Sequence, residues 1–500
     1  MNTLLIKAQA NIAIVIETPL SIGDAEVQVT NHKDEGASIG DAEVQATGHN
    51  DEAKAKDECF ANTRILPRDG KNRPYIPAAS IKGALRQWLL NAELPEDKIS
   101  QLLGHSLSSS KTELKSGACR VYPAFAATDV ATQVVTQNSI DEITGASKAN
   151  QLFKREYICS AAQLSFELRA EFIDGQLWHE MLSLLHKQTL QIGAGSKNDF
   201  GRIKLTVCTN TGMTKNDINH WLNQEATLDD SMLDLGRAFV PKKIVNKGVS
   251  IDFTITSPDP ILIADPVRLA AIKQNAAHQK PKDQYTQLDK HGRPTLPASS
   301  LRGALRAQYR RIVRTLLLQH VQDNQRIEEI VEQVCQPVWG DQQHQANLKM
   351  NDATHQGHAR AHQQTAIAID RFTGGAKNGA MAELEGVISN AFSFTITLTP
   401  KLLQEEYALQ RSILLFLFRD MYEQDISIGA HKSKGFGRLS FTLQTSALPQ
   451  NSEFSPKVMN YLLELLHLEL TQIDEHLNTL LANKTEHTTP KTPDTESAHV

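Results

Sequence analysis

The chain has 500 residues, and its 40% hydrophobic and 22% charged content is typical of a soluble globular protein. That length exceeds one ordinary hydrophobic core, so two or three domains are expected. The net charge of −5 argues against wholesale wrapping of nucleic acid, but it leaves room for a local basic groove.

The N-terminal sequence predicts a strand, because NIAIVIETP (11–19) alternates apolar residues with others. It lacks the apolar block and the small-residue cleavage pattern of an export signal. No apolar run approaches the roughly 18 residues that cross a bilayer, and the five cysteines contain no CxxC pair. We therefore expect a cytoplasmic protein with neither a disulfide framework nor a thiolate zinc site.

A tandem copy of 17 residues follows, in which SIGDAEVQVTNHKDEGA (21–37) precedes SIGDAEVQATGHNDEAK (38–54). Both copies are rich in glycine and acidic residues, and neither offers an apolar face to bury. We interpret residues 21–54 as a loop extension without a direct functional role.

Residues 76–86, IPAASIKGALR, recur as LPASSLRGALR at 296–306. The prolines favour an extended approach to a helix, for which Ser80 and Ser300 are candidate N-caps. Gly83 and Gly303 fall in the predicted first turn, where alanine would be favoured by about 1 kcal/mol. A glycine there in both copies indicates close approach of a ligand to the backbone, and the phosphates of a nucleic-acid strand fit a helix start.

Both predicted helices carry basic side chains at four-residue spacing, which places them on one helix face. These residues are Lys82 and Arg86 in the first copy, and Arg302, Arg306, Arg310 and Arg314 in the second. A solvated cationic face is the simpler interpretation of one such helix. Its occurrence in both copies favours phosphate binding.

Two further motifs lie in the second half. DRFTGGAKNGAM (370–381) places Gly374 and Gly375 beside Lys377 and predicts the base of a flexible hairpin. The preceding run HQANLKMNDATHQGHARAHQQ (344–364) contains His355, His358 and His362. A solvated loop and an RNA-contacting loop remain open for this run, and a zinc site is the least favoured alternative.

The segments IGAGSKNDFGR (192–202) and IGAHKSKGFGR (428–438) predict glycine-rich turns that lead into strands. Their turn glycines include Gly193, Gly201, Gly429 and Gly437. Their basic residues can reach phosphate oxygens together with backbone amides; they are Lys197, Arg202, Lys432, Lys434 and Arg438. No GK[ST] sequence follows, so nucleotide hydrolysis is disfavoured.

These matches form a duplication, since four paired segments occur in the same order and lie 220 to 236 residues apart. We predict a first domain at 1–210, a linker at 211–247 and a second domain at 248–445. Residues 446–500 are expected to form an amphipathic helix at 459–481 and a disordered tail.

The combination of PxSSLRGALR, a [VL][WL]G turn, an ID..TGGAK segment and IGA...GFGR resembles the RAMP superfamily of CRISPR-associated proteins. The resemblance is to the backbone subunits of type III effector complexes, in particular the fused subunits of the III-D or III-E branch. It implies an α+β fold with two tandem ferredoxin-like (RRM-like) domains, βαββαβ, each carrying a thumb hairpin insertion, followed here by the C-terminal helix.

The resemblance also implies partners and an activity. Backbone subunits of this kind stack along a guide crRNA beside other effector subunits, including a large polymerase-like one. They kink the guide–target duplex with their thumbs, and many cut the complementary target RNA. We therefore expect a ribonucleoprotein of a prokaryotic cytoplasm with antiviral endoribonuclease activity that depends on a divalent metal, Mg²⁺ or Mn²⁺.

The family's catalytic Asp commonly stands six residues before a second Asp in the loop ahead of the proline block. In the second domain Asp283 precedes Asp289 by six, so Asp283 matches as the catalytic residue and metal ligand. In the first domain Asp69 matches the second Asp, but Thr63 stands six residues before it. The first domain is expected to be silent unless a shifted loop brings in Asp57 or Glu58.

Three alternatives remain. The chain could be a non-catalytic scaffold of the same complex, with neighbouring subunits cutting the target. It could be a guide-processing endoribonuclease, which would usually rely on a His-centred site. A ferredoxin-like regulator that binds a small molecule would not explain duplicated basic helices.

Overall fold

In the computed structural model of the chain, two compact units are found, Met1–Val245 and Asn246–Val500. The structure describes residues 4–22, 25–27, 63–105, 116–140, 147–215, 217–218, 233–236, 239, 248–265, 268–269, 272, 282–289, 292–318, 320–341, 343–389, 391–446 and 453–482. Most of the tandem copy at 21–54 and the tail after 482 lie outside these ranges.

The first unit is built on an antiparallel sheet with helices on one face. Its strands are β1 (Leu4–Ile16), β2 (Ala25–Val27), β3 (Thr63–Ile65), β4 (Cys119–Val121), β5 (Thr132–Ile140), β6 (Ser147–Ile158), β7 (Gln163–Asp174), β8 (Thr189–Gln191), β9 (Arg202–Thr214) and β10 (Leu233–Asp234). Its helices are α1 (Ala78–Asn91), α2 (Glu96–Leu103) and α3 (Gly175–Leu185). The main sheet has the order β10-β9-β1-β7-β4, and β2-β3-β6-β5 form a second sheet.

Alternation along the central strand explains why this sheet has one covered face. In β1, Ile12 and Ile14 are fully buried, whereas Asn11 and Val15 are exposed. Helix α1 places Leu85, with Ile81 and Leu89, into the same core. The opposite face of the sheet carries polar and aromatic side chains.

The second unit repeats this plan. Its strands are β11 (Val249–Thr256), β12 (Gln284–Tyr285), β13 (Thr295–Leu296), β14 (Leu348–Met350), β15 (Ala353–His355), β16 (Ala359–Ile369), β17 (Ala376–Ser389), β18 (Phe392–Leu398) and β19 (Ser440–Leu443). Its helices are α4 (Ala298–Leu318), α5 (Asn324–Trp339), α6 (Ala408–Tyr422), α7 (Pro456–Leu465) and α8 (Ile473–Ala482). The main sheet runs β13-β15-β18-β11-β19, with β14 also paired to β18, and β12-β17-β16 form the smaller sheet.

Both units therefore follow the βαββαβ order. In the first unit β1, α1, β4, β7, α3 and β9 give a sheet in which β1 and β7 are central. In the second unit β11, α4, β14–β15, β18, α6 and β19 give the same arrangement. The predicted α+β, ferredoxin-like fold is confirmed. Each unit also carries a long hairpin, β5–β6 or β16–β17, which we call the thumb hairpin.

The helix starts differ from the sequence prediction. Helix α1 begins at Ala78 with Pro77 at the N-cap, and no side chain caps it. Ser80 is thus the third helical residue, and Gly83 lies in the second turn. In α4 the backbone N–H of Ala298 donates to Asp352 Oδ1 at 2.7 Å, so an acid from a distant strand end replaces the predicted Ser300 cap.

The predicted boundary between the first domain and the linker falls inside the folded first unit. Residue 210 falls within β9, and Phe239 from the predicted linker is buried in the first core. The single helix predicted at 459–481 is wrong, because α7 and α8 are separate and His467 between them has a positive φ of 52°. Ser412 of α6 lies 3.1 Å from His476 of α8, so these helices belong to the second unit.

Candidate functional site

The strand that carries Asp283 is tied to the thumb hairpin of the second unit. β12 pairs in parallel with β17, and Asp283, just before it, donates its N–H to the Glu383 carbonyl at 2.9 Å. The Asp283 carboxylate accepts from the Glu383 N–H at 2.7 Å. The side chain is exposed, so the carboxylate faces solvent beside the middle of the thumb hairpin.

The first unit has the same strand pairing but no carboxylate there. β3 pairs in parallel with β6, and Thr63 is the partner of Lys154. The two strands are equivalent, because the same turn follows each of them. In this turn Asp69 pairs with Arg73 in the first unit and Asp289 pairs with Arg293 in the second, both at 2.8 Å. Thr63 and Asp283 each stand six residues before this Asp. Asp57 and Glu58 lie outside the described residues.

His431 lies beside this strand, and the sequence analysis did not single it out. Its Nε2 is 3.0 Å from Oε1 of Gln284, the residue after Asp283. Burial, together with nearby Lys434, lowers the pKa of His431 and favours the neutral ring. The first glycine turn has Gly195 at this position, and both residues have a left-handed backbone. The change from glycine to histidine, one of five differences between the two motifs, was the available signal.

The turn glycines serve the fold directly. Gly201 and Gly437 have φ values of +76° and +89°, and a Cβ there would lie 1.9 or 2.0 Å from a carbonyl oxygen of the same turn. At Gly193 and Gly429 a Cβ would lie 2.4 Å from the carbonyl of Ser21 or Leu262. The glycines therefore let each turn pack against the segment after the first strand.

The basic residues of the two turns remain at the surface. Lys197 and the pair Lys432 and Lys434 lie in short 3₁₀ helices and are exposed. Arg202 pairs with Glu17 and Asp199 at 3.0 Å each, and Arg438 pairs with Asp259 at 2.9 Å. Both guanidinium groups are nonetheless exposed, so the predicted phosphate contacts are sterically open.

The arginine stripe of α4 is not the open basic face that the sequence predicted. Arg302 is 6% exposed and donates to the carbonyls of Trp339 and Leu348, and burial lowers its pKa to about 10. Arg310, also buried, pairs with Glu328 and Glu332 of α5. Arg306 and Arg314 each pair with one of these two acids.

The stripe fails as an interface because a second helix covers it. Spacing within α4 revealed a common face, but it could not reveal that α5 brings Glu328 and Glu332 against that face. The prediction of RNA contacts is therefore corrected for Arg302 and Arg310. Arg306 keeps partial exposure beside Glu332.

The equivalent face of α1 is more open. Lys82 is exposed, and Arg86 donates to the carbonyl of Gly104. Gly83 and Gly303 are both exposed, and a Cβ on either would meet no atom within 4 Å. Nothing among the described residues explains a glycine at these two positions, so the predicted approach of a ligand to the backbone stays a prediction.

The segment predicted as the base of a hairpin is instead its tip. Asp370 accepts from the N–H groups of Phe372 and Thr373 and closes the turn between β16 and β17. Gly374, with a φ of +66°, and Gly375 complete this turn. Lys377 is exposed on β17, six residues and therefore roughly 20 Å from the Asp283 partner Glu383.

The His-rich run is not a loop, because it forms β14, β15 and most of β16. His355 is buried against Phe392 with a ring-centroid distance of 5.4 Å, and His362 packs edge-on to Phe436. Within the described residues, the carboxylates close enough together to hold a metal are Asp420, Glu423 and Asp425. The structure gives no support to a zinc site at His355, His358 and His362.

The acidic group at 420–425 is explained by its own contacts. Asp420 is buried, accepts from Gln308 at 2.7 Å and pairs with Arg419 at 2.8 Å. Just before β12, Asp283 offers an exposed carboxylate. This donor set fits Mg²⁺ or Mn²⁺, because such ions are often held by one or two carboxylates plus the phosphates of a substrate.

Comparisons with known proteins identify related sequences and structures. A family model described as the RAMP superfamily matches residues 14–204 and 254–440. A cryo-EM structure of the type III-B Cmr-beta complex bound to cognate target RNA contains a similar chain, 12% identical, with a TM-score of 0.29. The apo state of that complex gives 11% and 0.28, and each match covers 40% of this chain and 96% of the other. No curated protein sequence matches the chain.

None of the helices in the described ranges combines the length and the apolar character that a bilayer crossing requires.

Proposed function

The chain belongs to the RAMP superfamily, and from this premise we propose that it is a guide-RNA-binding backbone subunit of a type III CRISPR effector complex. In this proposal it also cleaves complementary target RNA, and the cut is made by the second unit. Its partners are a guide crRNA, the target RNA and other effector subunits, including a large polymerase-like one.

The observation that carries the proposal is the difference between Asp283 and Thr63. The two units share strand order, the Asp–Arg turn and the pairing of the strand before it with the thumb hairpin. At the position six residues before the turn Asp, the second unit has the exposed carboxylate of Asp283 and the first unit has Thr63. Equivalent scaffolds with one reactive group favour a chain that holds RNA twice and cuts it once.

RNA supplies its own nucleophile, the 2′-hydroxyl, so the protein needs to position the strand and stabilise charge at the phosphate. Asp283 can hold a divalent metal or orient the hydroxyl. The metal, when bound, would neutralise charge on the scissile phosphate. Lys432 and Lys434 lie on the turn whose His431 contacts Gln284, which brings positive charge near β12.

A non-catalytic scaffold is the second candidate. The hydrogen bond between Asp283 and Glu383 gives the carboxylate a structural reason to be there without any chemistry. This alternative predicts that replacement of Asp283 changes the thumb hairpin but leaves target cleavage, made by other subunits, intact.

The test compares wild type with Asp283→Ala in the complex assembled with guide RNA, labelled complementary RNA and Mg²⁺ or Mn²⁺. We expect one cleavage product to disappear while target binding stays intact. An unchanged product ladder would exclude Asp283 as the catalytic residue. Cutting of a guide precursor by EDTA-treated chain alone would instead indicate guide processing.

A further inference from the structure

Among the described residues, no helix covers one face of the first-unit sheet, and this face carries a set of aromatic side chains. This face lies opposite the helices, because the alternating residues Leu164, Phe166 and Leu168 of β7 point into the core. On its edge, Phe125 is bridged to Ser165 of β7 and is 40% exposed. An aromatic ring on an open sheet face calls for an explanation beyond packing.

Two contacts fix the orientation of these rings. Tyr75, from the segment just before α1, stacks on Phe125 with a centroid distance of 5.6 Å and an interplanar angle of 26°. Further along the same edge, the guanidinium of Arg169 lies 5.0 Å from the centre of the Tyr122 ring. Glu167 pairs with Arg169 at 2.9 Å and holds it in place. The rings are thus oriented before any ligand arrives.

The second unit provides a comparison within the same chain. Its strand pairings place Thr295 opposite Thr354, as Tyr75 and Phe125 are placed in the first unit. By the same register Asn351 corresponds to Tyr122, and Thr397 corresponds to Arg169. The fold therefore does not require rings at these positions.

On the corresponding sheet face of the second unit, the polar side chains form hydrogen bonds within that unit. Asn351 accepts from the N–H of Thr395 at 2.6 Å, and the hydroxyls of Ser250 and Thr397 lie 3.3 Å apart. Small side chains satisfied in this way offer no platform to a planar ligand. Only the first unit, among the described residues, presents stacked rings on this face.

Positive charge lies next to the rings. Tyr122 lines an open groove together with Arg120 and Lys82 of α1, and both basic residues are exposed. The same groove is also lined by Glu96, Asp97 and Glu171. Lys82 and Arg120 supply the positive charge that a phosphate next to the rings would need.

We propose that this face binds an unpaired nucleotide of an RNA strand. One base stacks on the exposed side of Phe125 or Tyr122, and the adjoining phosphate lies near Arg120 and Lys82. A duplex would not fit, since stacking on a protein ring requires a base that is out of its own stack. The site rests on the proposed function in one respect, that RNA is the ligand of this chain.

The test exchanges the rings for the residues that the second unit carries, in the full-length triple variant Tyr75→Thr, Tyr122→Asn and Phe125→Thr. The dissociation constant is measured for labelled single-stranded oligo-A and oligo-U of about eight nucleotides. We expect binding about 5- to 150-fold weaker, equivalent to about 1 to 3 kcal/mol for one stacked base. The salt dependence of binding should not change.

A matched variant separates stacking from charge. Arg120→Gln should lower the salt slope by about 0.7, the amount expected for one lost phosphate contact on a single strand, while the rings remain. Phe125→Tyr with Tyr122→Phe keeps both rings and should bind like wild type. If the triple variant does not fold, the single exposed change Phe125→Thr is used in its place.

The outcomes are distinguishable from failure of the proposed function. Equal affinities for wild type and triple variant would overturn the inference, and so would photocrosslinks from 5-iodouridine RNA that map away from Tyr122 and Phe125. Either result leaves target cleavage by Asp283 untouched. A wild-type chain that binds no single strand, alone or in its assembled complex, would overturn both.

Discussion

The Oδ2 atom of Asp283 lies 2.7 Å from the backbone nitrogen of Glu383, so the candidate carboxylate is also a tether between β12 and the thumb hairpin. In the first unit the equivalent residue is Thr63, which pairs with Lys154 in the strand ladder and has no carboxylate. A change at Asp283 therefore affects both the attachment of β12 to the thumb hairpin and the candidate catalytic carboxylate. The substitutions below are chosen to separate these two effects.

The first prediction concerns this coupling. Asp283→Ala removes the acceptor, and we expect the Glu383 amide to exchange with solvent up to about tenfold faster, since one hydrogen bond contributes about 1 kcal/mol. Asp283→Asn keeps an acceptor of the same shape and should exchange like wild type while losing cleavage. Hydrogen exchange, measured by mass spectrometry on a peptide that contains Glu383 of β17, checks this prediction. Faster exchange in both variants would mean that the carboxylate charge itself holds the hairpin.

A second prediction contrasts Arg302 with Lys82, its counterpart in α1. Arg302→Ala leaves the carbonyls of Trp339 and Leu348 buried without a donor and should destabilise the second unit by about 2 to 4 kcal/mol. Lys82→Ala at the exposed position should change stability by less than about 0.5 kcal/mol but weaken RNA binding. Urea unfolding and RNA titration of both variants check this. Similar stabilities would show that burial of Arg302 contributes little.

The glycines allow a third prediction. Gly83→Ala and Gly303→Ala should each raise the free energy of unfolding by up to about 1 kcal/mol, since no atom opposes the added methyl group. Gly437→Ala should lower it by more than about 2 kcal/mol, because its φ is +89° and the methyl group meets the Ile428 carbonyl.

Guide-RNA affinity decides what the helix glycines are for. If phosphate approaches the backbone at Gly83, the stabilised Gly83→Ala chain should bind guide RNA more weakly than wild type. Unchanged affinity in both helix variants would remove the reason for assigning these glycines to RNA.

A fourth prediction concerns pH. The Nδ1 of buried His186 accepts from the N–H of Val207 at 3.2 Å, and burial lowers the pKa of this His. Because its folded pKa lies below the unfolded value of about 6.5, the unfolded state binds more protons at mildly acidic pH. Stability of the first unit should therefore be full above about pH 6.5 and fall as the pH drops toward the folded pKa.

Urea unfolding at about pH 7.5 and about pH 5.5 measures this effect. His186→Phe should reduce the difference between the two pH values, whereas His320→Gln, at an exposed position of the second unit, should leave it unchanged. A pH dependence that persists in full in His186→Phe would assign it to other groups.

The duplicated motifs were sufficient to predict two domains with the same order of elements, and the ferredoxin-like fold came from the family resemblance. The same motifs misled at α4, where regular arginine spacing on one helix could not show the acids that α5 places against it. The turn glycines are explained by close backbone carbonyls within each unit, and the phosphate contacts of the basic residues in these turns stay a prediction. Periodicity shows which residues share a face of one helix or strand. The error at α4 concerns a neighbouring helix, which periodicity cannot show.

His431 was missed for a related reason. Its contact with Gln284 joins residues 147 positions apart, and no local pattern encodes such a contact. The catalytic assignment of Asp283 came from the family motif, and the structure adds its exposure, its tether to Glu383 and its counterpart Thr63.

The most direct test of the central claim maps every cut in a labelled target RNA for complexes that contain wild type, Asp283→Thr or Thr63→Asp. Asp283→Thr installs the residue of the first unit, and we predict the loss of one cut with target affinity unchanged. Thr63→Asp should leave that cut in place. A full set of cuts in the Asp283→Thr complex would contradict the account, because the second unit would then have no part in cleavage.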